Sequence, residues 1–350
     1  MRNLYIMGPT GSGKTAVGVA LALKLKEQGV RVAYFKPVGA MVGEKRVDED
    51  AVLMREVLGM SLPLEEMVLF DVGSHYLSRY EKSGGYLERV AMAHRSVAAG
   101  ADVVIIGGAP SPYSMASLGL DAGSVAGHLG ASVLLVQKVI NDLSLDLAIA
   151  YNQFVRFREV PALGTILNHV PRALWDKARG VYAPLLEDQG YQVLGIIPQR
   201  ADISAPTVAE FHDLLGGEIL AGEDKMEQAV EDVVIGAMTL ESALRYFRRA
   251  LNKAVITGGD RADLALAALE TSTSVIVLTG GLYPDVKVIN RAREKGVPLL
   301  LVSHDTYSVI NMLQEVTRKI RPGDQRSLKL AVENLERYCN WQAIVAHLKL

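Results

Sequence analysis

Short apolar runs alternate with helical patterns through the first two-thirds of the chain, which is the rhythm of a parallel α/β sheet. Leu4-Tyr5-Ile6-Met7 reads as a buried strand and Ala16–Lys26 as the helix after it. Val30–Phe35 reads as a strand, Asp50–Leu58 as a short helix, and Tyr86–Ala99 as an amphipathic helix stopped at Gly100. Asp102–Ile106 and Ser132–Val136 read as strands, Leu143–Phe157 as a helix, and Val160–Asn168 as holding a strand. Ala173–Gln189 reads as mostly helix and Tyr191–Ile197 as the last strand of this half. These strands are apolar on both faces, so helices should cover both sides of the sheet.

A boundary is expected near Ala201–Gly217, after which the rhythm restarts. Strands are expected at Ala254–Thr257, Val275–Thr279 and Val297–Val302, and helices at Arg261–Leu269, Asp285–Lys295 and Thr306–Glu315. The tail from Ser327 to Leu350 reads as helical. The turns T-G-G-D and T-G-G-L follow successive strands and read as two similar strand-to-helix turns.

Composition narrows the class without naming a chemistry. The 350 residues are 49% hydrophobic and 22% charged, which suits two globular domains. A net charge of −2 points to neither a nucleic acid nor an anionic membrane as partner. Each apolar run falls short of the ~18 residues of a membrane span. A lone cysteine, Cys339, excludes an internal disulfide and leads us to expect a reducing, cytoplasmic setting without a signal peptide. Cys339 itself is expected as a small helix side chain, and the seven histidines show no zinc spacing.

The chemistry is concentrated in Gly8-Pro9-Thr10-Gly11-Ser12-Gly13-Lys14-Thr15, a complete G-x-x-x-x-G-K-[ST] phosphate loop between a strand and a helix. Its amides, from Gly8 through Thr10, Gly11, Ser12, Gly13, Lys14 and Thr15 to Ala16, are expected to cradle ATP phosphates. Lys14 supplies charge to the β/γ-phosphates, and the Thr15 hydroxyl is a Mg²⁺ ligand. Lys36, in F-K-P-V-G at the end of the second strand, is a second cation able to stabilise transferring charge, or else a solvated loop lysine. Asp50, in the acidic run Asp48-Glu49-Asp50 after the loop 42–47, is a candidate Mg²⁺ ligand, while Asp48 or Asp50 could equally cap a helix. The strand at 103–106 runs into Gly107-Gly108-Ala109-Pro110, where phosphate-loop enzymes usually present an acid, and Asp102 lies at the wrong end to replace it. Asn168, ending G-T-I-L-N, could pair with an adenine edge or simply form a turn.

In order, G-P-T-G-S-G-K-T, F-K-P-V-G, D-E-D, G-T-I-L-N and L-G-I-I-P resemble dethiobiotin synthetase. They are more similar still to the synthetase-like N-terminal region of long phosphate acetyltransferases, over Met1–Arg200. I-T-G-G-D-R-A-D, L-E-T-S-T, L-T-G-G-L-Y-P and G-V-P-L-L-L-V-S-H-D-T-Y resemble the DRTGG domain that follows it, over Leu214–Ile320. The resemblance implies a P-loop NTPase-type parallel sheet covered by helices (1–205), a smaller α/β DRTGG-like domain (214–322) and a helical tail (323–350). It implies ATP and Mg²⁺ as cofactors, Lys14 and Lys36 as catalytic lysines, Thr15 and Asp50 at the metal, and Asn168 at adenine. Gly107 stands where the synthetase carries the glutamate of a V-E-G-A-type segment. The chain is expected to stop where an acetyltransferase catalytic domain would begin, so acetyl transfer is not implied.

In the DRTGG-like half, Gly258-Gly259-Asp260 could hold a small anion, although Asp260 is better read as the cap of the following helix. Arg261, His304 and Asp305 also lie beyond strand ends and could meet there. Three functions fit these residues. One is a nucleotide-binding regulatory protein, whose second domain meets an unknown small ligand or protein partner. Another is an ATP-dependent ligase that activates a carboxylate as an acyl phosphate, and the third is a structural assembly module. Assembly as a homo-oligomer is expected.

Overall fold

The computed structural model describes residues 2–40, 47–73, 75–78, 84–200, 205–313 and 320–348. Residues 42–46 of the loop expected at 42–47, and the start of the boundary segment, 201–204, lie outside the described residues. The chain divides into two compact units, Met1–Arg200 with Ile320–Leu350, and Ala201–Lys319.

In the first unit, strands β1 (Arg2–Met7), β2 (Val32–Phe35), β5 (Val103–Gly107), β6 (Ser132–Lys138), β7 (Ala162–Val170) and β8 (Val193–Pro198) form one sheet. Their order is β2-β5-β1-β6-β7-β8 and each neighbouring pair is parallel. The short strands β3 (Val38–Gly39) and β4 (Phe70–Asp71) pair beside it. Both faces of the sheet are covered. Tyr5, Val104, Ile106 and Leu135 face one apolar core with the Tyr86–Val97 and Leu143–Phe157 helices. Leu4, Ile6, Ile105 and Leu134 face another with the Lys14–Glu27 and Glu49–Leu58 helices. The central strand β1 thus delivers the phosphate loop to the sheet's carboxyl edge, where ligands of open α/β sheets sit.

The tail returns to this same unit. The Gln325–Tyr338 helix packs its Leu328, Ala331 and Leu335 face against the Lys14–Glu27 helix. Lys24 meets Glu336 at 2.7 Å and lies over the Trp341 ring. Residues Cys339 and Asn340 then run along the outer edge of β8, where Cys339 bridges Gly195 and the Asn340 amide donates to Leu194 O at 2.7 Å. An otherwise open edge strand is thereby covered. Cys339 is not a helix side chain, as the sequence suggested, but an extended residue just past the helix.

In the second unit, β10 (Asp232–Ile235), β11 (Lys253–Gly258), β12 (Thr273–Thr279) and β13 (Leu299–Leu301) are parallel, and β9 (Glu218–Ala221) pairs antiparallel with β13. The two Gly-Gly turns lie against one another: a Cβ on Gly259 would stand 1.7 Å from Leu282 O. Asp260 does not cap the next helix, which begins at Ala262 behind Arg261 with no side-chain cap. Arg261, His304 and Asp305 do not form one cluster through their side chains. Arg261 is bound by Asp263 at 2.9 Å, and Asp305 caps its own helix by accepting from the Tyr307 and Ser308 amides.

Candidate functional site

Four strand ends of the first unit converge on the phosphate loop. Gly13 closes the loop at φ 89°, a left-handed conformation that costs an L side chain about 1 kcal/mol or more. Space forbids a side chain there too, since a Cβ would fall 2.1 Å from Asn168 Nδ2. The Asn168 amide donates to Ser12 O at 2.8 Å, and its Oδ1 accepts from the His169 backbone amide. Asn168, proposed from the sequence for the adenine edge, is therefore turned onto the loop itself, with one amide hydrogen left over. Thr10 Oγ1 donates to Pro110 O at 3.1 Å and ties the loop to the segment after β5. Ser12 is fully buried, and its Oγ has no hydrogen-bond partner.

Lys14 folds back over the loop and donates to Gly8 O at 2.7 Å and Pro9 O at 2.8 Å. Burial lowers it to about 8, with Asp50 opposing the shift and Lys36 adding to it. Thr15 Oγ1 donates to Asp50 Oδ1 at 2.7 Å, which joins the two residues the sequence assigned to a metal. Gly11, Gly13 and Lys14 lead into the first turn at Thr15 and Ala16, whose amides are among the unpaired donors of a helix start.

Lys36 is 5% exposed and is not a solvated loop lysine. Its ammonium is held by Asp48 at 3.0 Å and by a tight ion pair with Asp50. Burial works against the Lys36 charge, but Asp50 and Asp48 outweigh it and hold the ammonium well above its ordinary range. Burial likewise raises Asp48 despite Lys36, whereas at Asp50 Lys36 and Thr15 overcome burial and hold the carboxyl down. Asp48 caps the Glu49–Leu58 helix through the Ala51 amide at 3.1 Å. The two acids thus divide the roles that the sequence left open: Asp48 caps, and Asp50 faces Thr15. Two cations and two carboxylates balance here, so the loop's own amides and helix start supply the field for an anion.

Gly107 carries no acid, and no side chain fits there without displacing a neighbour. A Cβ would stand 2.0 Å from Tyr34 Oη and 2.7 Å from its Cζ. Tyr34 belongs to none of the motifs in the sequence. The signal available was spacing: Tyr34 precedes Lys36 by two and so shares its face of an extended chain. Asp102 is at the far end of β5, paired with Arg31 at 2.7 Å, as its position in the strand required. On the other side of the loop stands His169 at φ 53°, with Nε2 3.6 Å from where a Gly13 Cβ would be. Burial and then Lys138 push His169 down to about 4. Among the described residues no three His, Cys, Asp or Glu side chains gather as a metal cluster. A Mg²⁺ ion here would rest on Thr15, Asp50, water and ligand phosphates, which is the sparse coordination that magnesium favours.

A parallel sheet with helices on both faces, and a phosphate loop between its central strand and first helix, defines a P-loop nucleotide-binding fold. The chain belongs to the AAA domain family, whose profile matches residues 2–207. The DRTGG domain matches residues 210–316. Phosphate acetyltransferase of Pseudomonas putida is 26% identical over 345 residues, covering 92% of this chain and 48% of that protein. Phosphate acetyltransferase of Nitratidesulfovibrio vulgaris is 24% identical, covering 96% of this chain and 50% of that protein. The chain therefore spans about half the length of these curated relatives. Among solved structures, the MinD cell division protein of Aquifex aeolicus is 15% identical, with 58% of this chain and 84% of that chain covered at a TM-score of 0.39. No helix among the described residues is long and apolar enough to cross a membrane.

Proposed function

We propose that this chain is an ATP- and Mg²⁺-binding regulatory protein, in which nucleotide occupancy of the first unit governs a ligand or partner surface on the DRTGG unit. The carrying observation is a built site that has no acid on its Gly107 side. Ser12 Oγ is buried without a partner, Lys14 waits on two carbonyls, and Thr15 is poised on Asp50. These groups suit a phosphate chain and one metal. The ion, when bound, would be held by Thr15 and Asp50 and would offset phosphate charge. Opposite them Gly107 and Tyr34 offer no second carboxylate, so binding is better supported than rapid transfer.

The competing reading is an ATP-dependent ligase that activates a carboxylate. It draws on Lys36, but the Lys36 charge is already shared between Asp48 and Asp50. Acetyl transfer by the relatives is not assigned to this chain. Self-association as a homo-oligomer forms part of the proposal and is checked by light scattering.

The direct test is thermal unfolding with and without MgATP. At about a hundredfold excess over Kd, the wild type should gain roughly 3 kcal/mol and Lys14→Ala nearly none. Equal stabilisation of both proteins would remove the phosphate loop as the binding site. Rapid ATP turnover by the wild type in the presence of a carboxylic acid would favour the ligase.

A further inference from the structure

Tyr34 is 4% exposed, yet its hydroxyl has no hydrogen-bond partner among the described residues. Unlike Ser12 Oγ, this hydroxyl is not sealed in the interior; it opens onto a cleft, where a ligand can reach it. The Tyr34 hydroxyl occupies the space where a Gly107 Cβ would stand and shares a narrow cleft with Lys14, Thr15, Asp50, Gly107 and Gly108. The cleft has room for about 10 Å³, which is space for roughly one oxygen atom. Gly108 is fixed close behind, its amide donating to Ile6 O at 3.0 Å. The hydroxyl therefore opens into the same cleft as Thr15 and Asp50, while Asn168 and His169 lie against Gly13.

Resting on the nucleotide-binding reading above, we propose that Tyr34 is the residue that recognises the terminal phosphate of a nucleoside triphosphate, donating its O–H to one phosphoryl oxygen, with Gly107 left bare to make room for it. Burial raises the Tyr34 phenol well above its ordinary range, and Asp50 and Asp48 push it further the same way, so the group stays a neutral donor. A neutral donor and a carboxylate at this position differ in kind. A carboxylate would repel the terminal phosphate unless a metal lay between them. A phenol attracts that phosphate directly and abstracts no proton. Such a site separates nucleoside triphosphate from diphosphate by affinity, which is what a sensor of nucleotide state requires.

The test is calorimetric titration of the full chain with MgATP and, separately, MgADP. The wild type should bind MgATP more tightly. Tyr34→Phe keeps the ring and removes the donor, so it should lose about tenfold in the ATP-to-ADP affinity ratio while MgADP binding stays unchanged. Gly107→Ala, whose methyl displaces the hydroxyl, should lose the same discrimination. It also serves as a second variant should Tyr34→Phe fail to fold. If both nucleotides bind the wild type but Tyr34→Phe keeps its ratio, the role of Tyr34 is overturned and nucleotide binding stands. If the wild type binds neither nucleotide, the nucleotide-binding reading falls, and this assignment falls with it.

Discussion

At the scale of single residues, the phosphate loop is held ready by bonds that a nucleotide would replace. Lys14 is the clearest case. Without an anion it is buried against two carbonyls and sits at about 8, below its ordinary value of about 10.4. Bound phosphate favours the charged form and raises that value. Between the free and bound values, binding takes up a proton, and affinity falls as pH rises. We therefore expect nucleotide affinity to be level below about pH 8 and to decline above it, by up to tenfold per unit. Titrations at about pH 9 in buffers of different ionisation enthalpy should show proton uptake, which Lys14→Ala abolishes. The loop and its lysine could be read from spacing because a nest of amides demands glycine at fixed positions. What surrounds Lys14 could not. That Lys36 is consumed by Asp48 and Asp50, that Asn168 serves Ser12, and that Tyr34 fills the space beside Gly107 are contacts between segments 12 to 156 residues apart. A single sequence records no such distances.

At the scale of elements, apolar runs located the inner strands because a parallel strand buried on both faces is a continuous hydrophobic word. The same logic fails for the strand Asp232–Ile235, which lies at a sheet edge with Asp232 and Val233 exposed. It fails also for Glu218–Ala221, which joins its sheet antiparallel. Ala122–His128 escaped notice because its Ala-Gly-Ser-Val-Ala-Gly run has too few large residues to show a period. The segment read as mostly helix over Ala173–Gln189 is helical but irregular, with a π-helical turn at Ala178–Tyr182 ahead of Pro184. Proline supplies no amide to bond back into that turn, so the regular ladder cannot run through. The Gln325–Tyr338 helix was legible as a helix but not as a partner of the phosphate-loop helix. Its docking rests on Leu335, which is 1% exposed. Leu335→Ala should therefore cost roughly 2–4 kcal/mol in denaturant unfolding of the first unit. A loss near zero would mean that the helix is only loosely attached.

At the scale of the whole molecule, each unit has its own sheet and its own cores, so each should have its own unfolding transition. That makes the regulatory proposal measurable. MgATP must raise the transition of the first unit by mass action alone. Coupling requires more: the transition of the second unit, or hydrogen exchange at β11 and β12, must shift as well. Calorimetry in which only one transition moves would leave the phosphate loop a nucleotide site without an output. The returning tail has a separate consequence, in the order of events during synthesis. The first unit is built from both ends of the chain as it stands, and the second from the stretch between. On the ribosome, residues 205–313 can therefore reach their final packing while the earlier sheet still lacks Leu328, Ala331 and Leu335 over its first helix and Cys339 along its outer strand. Until that last segment emerges, the older half of the chain carries an uncovered apolar helix face and an unpaired strand edge, and it is the half most in need of a chaperone.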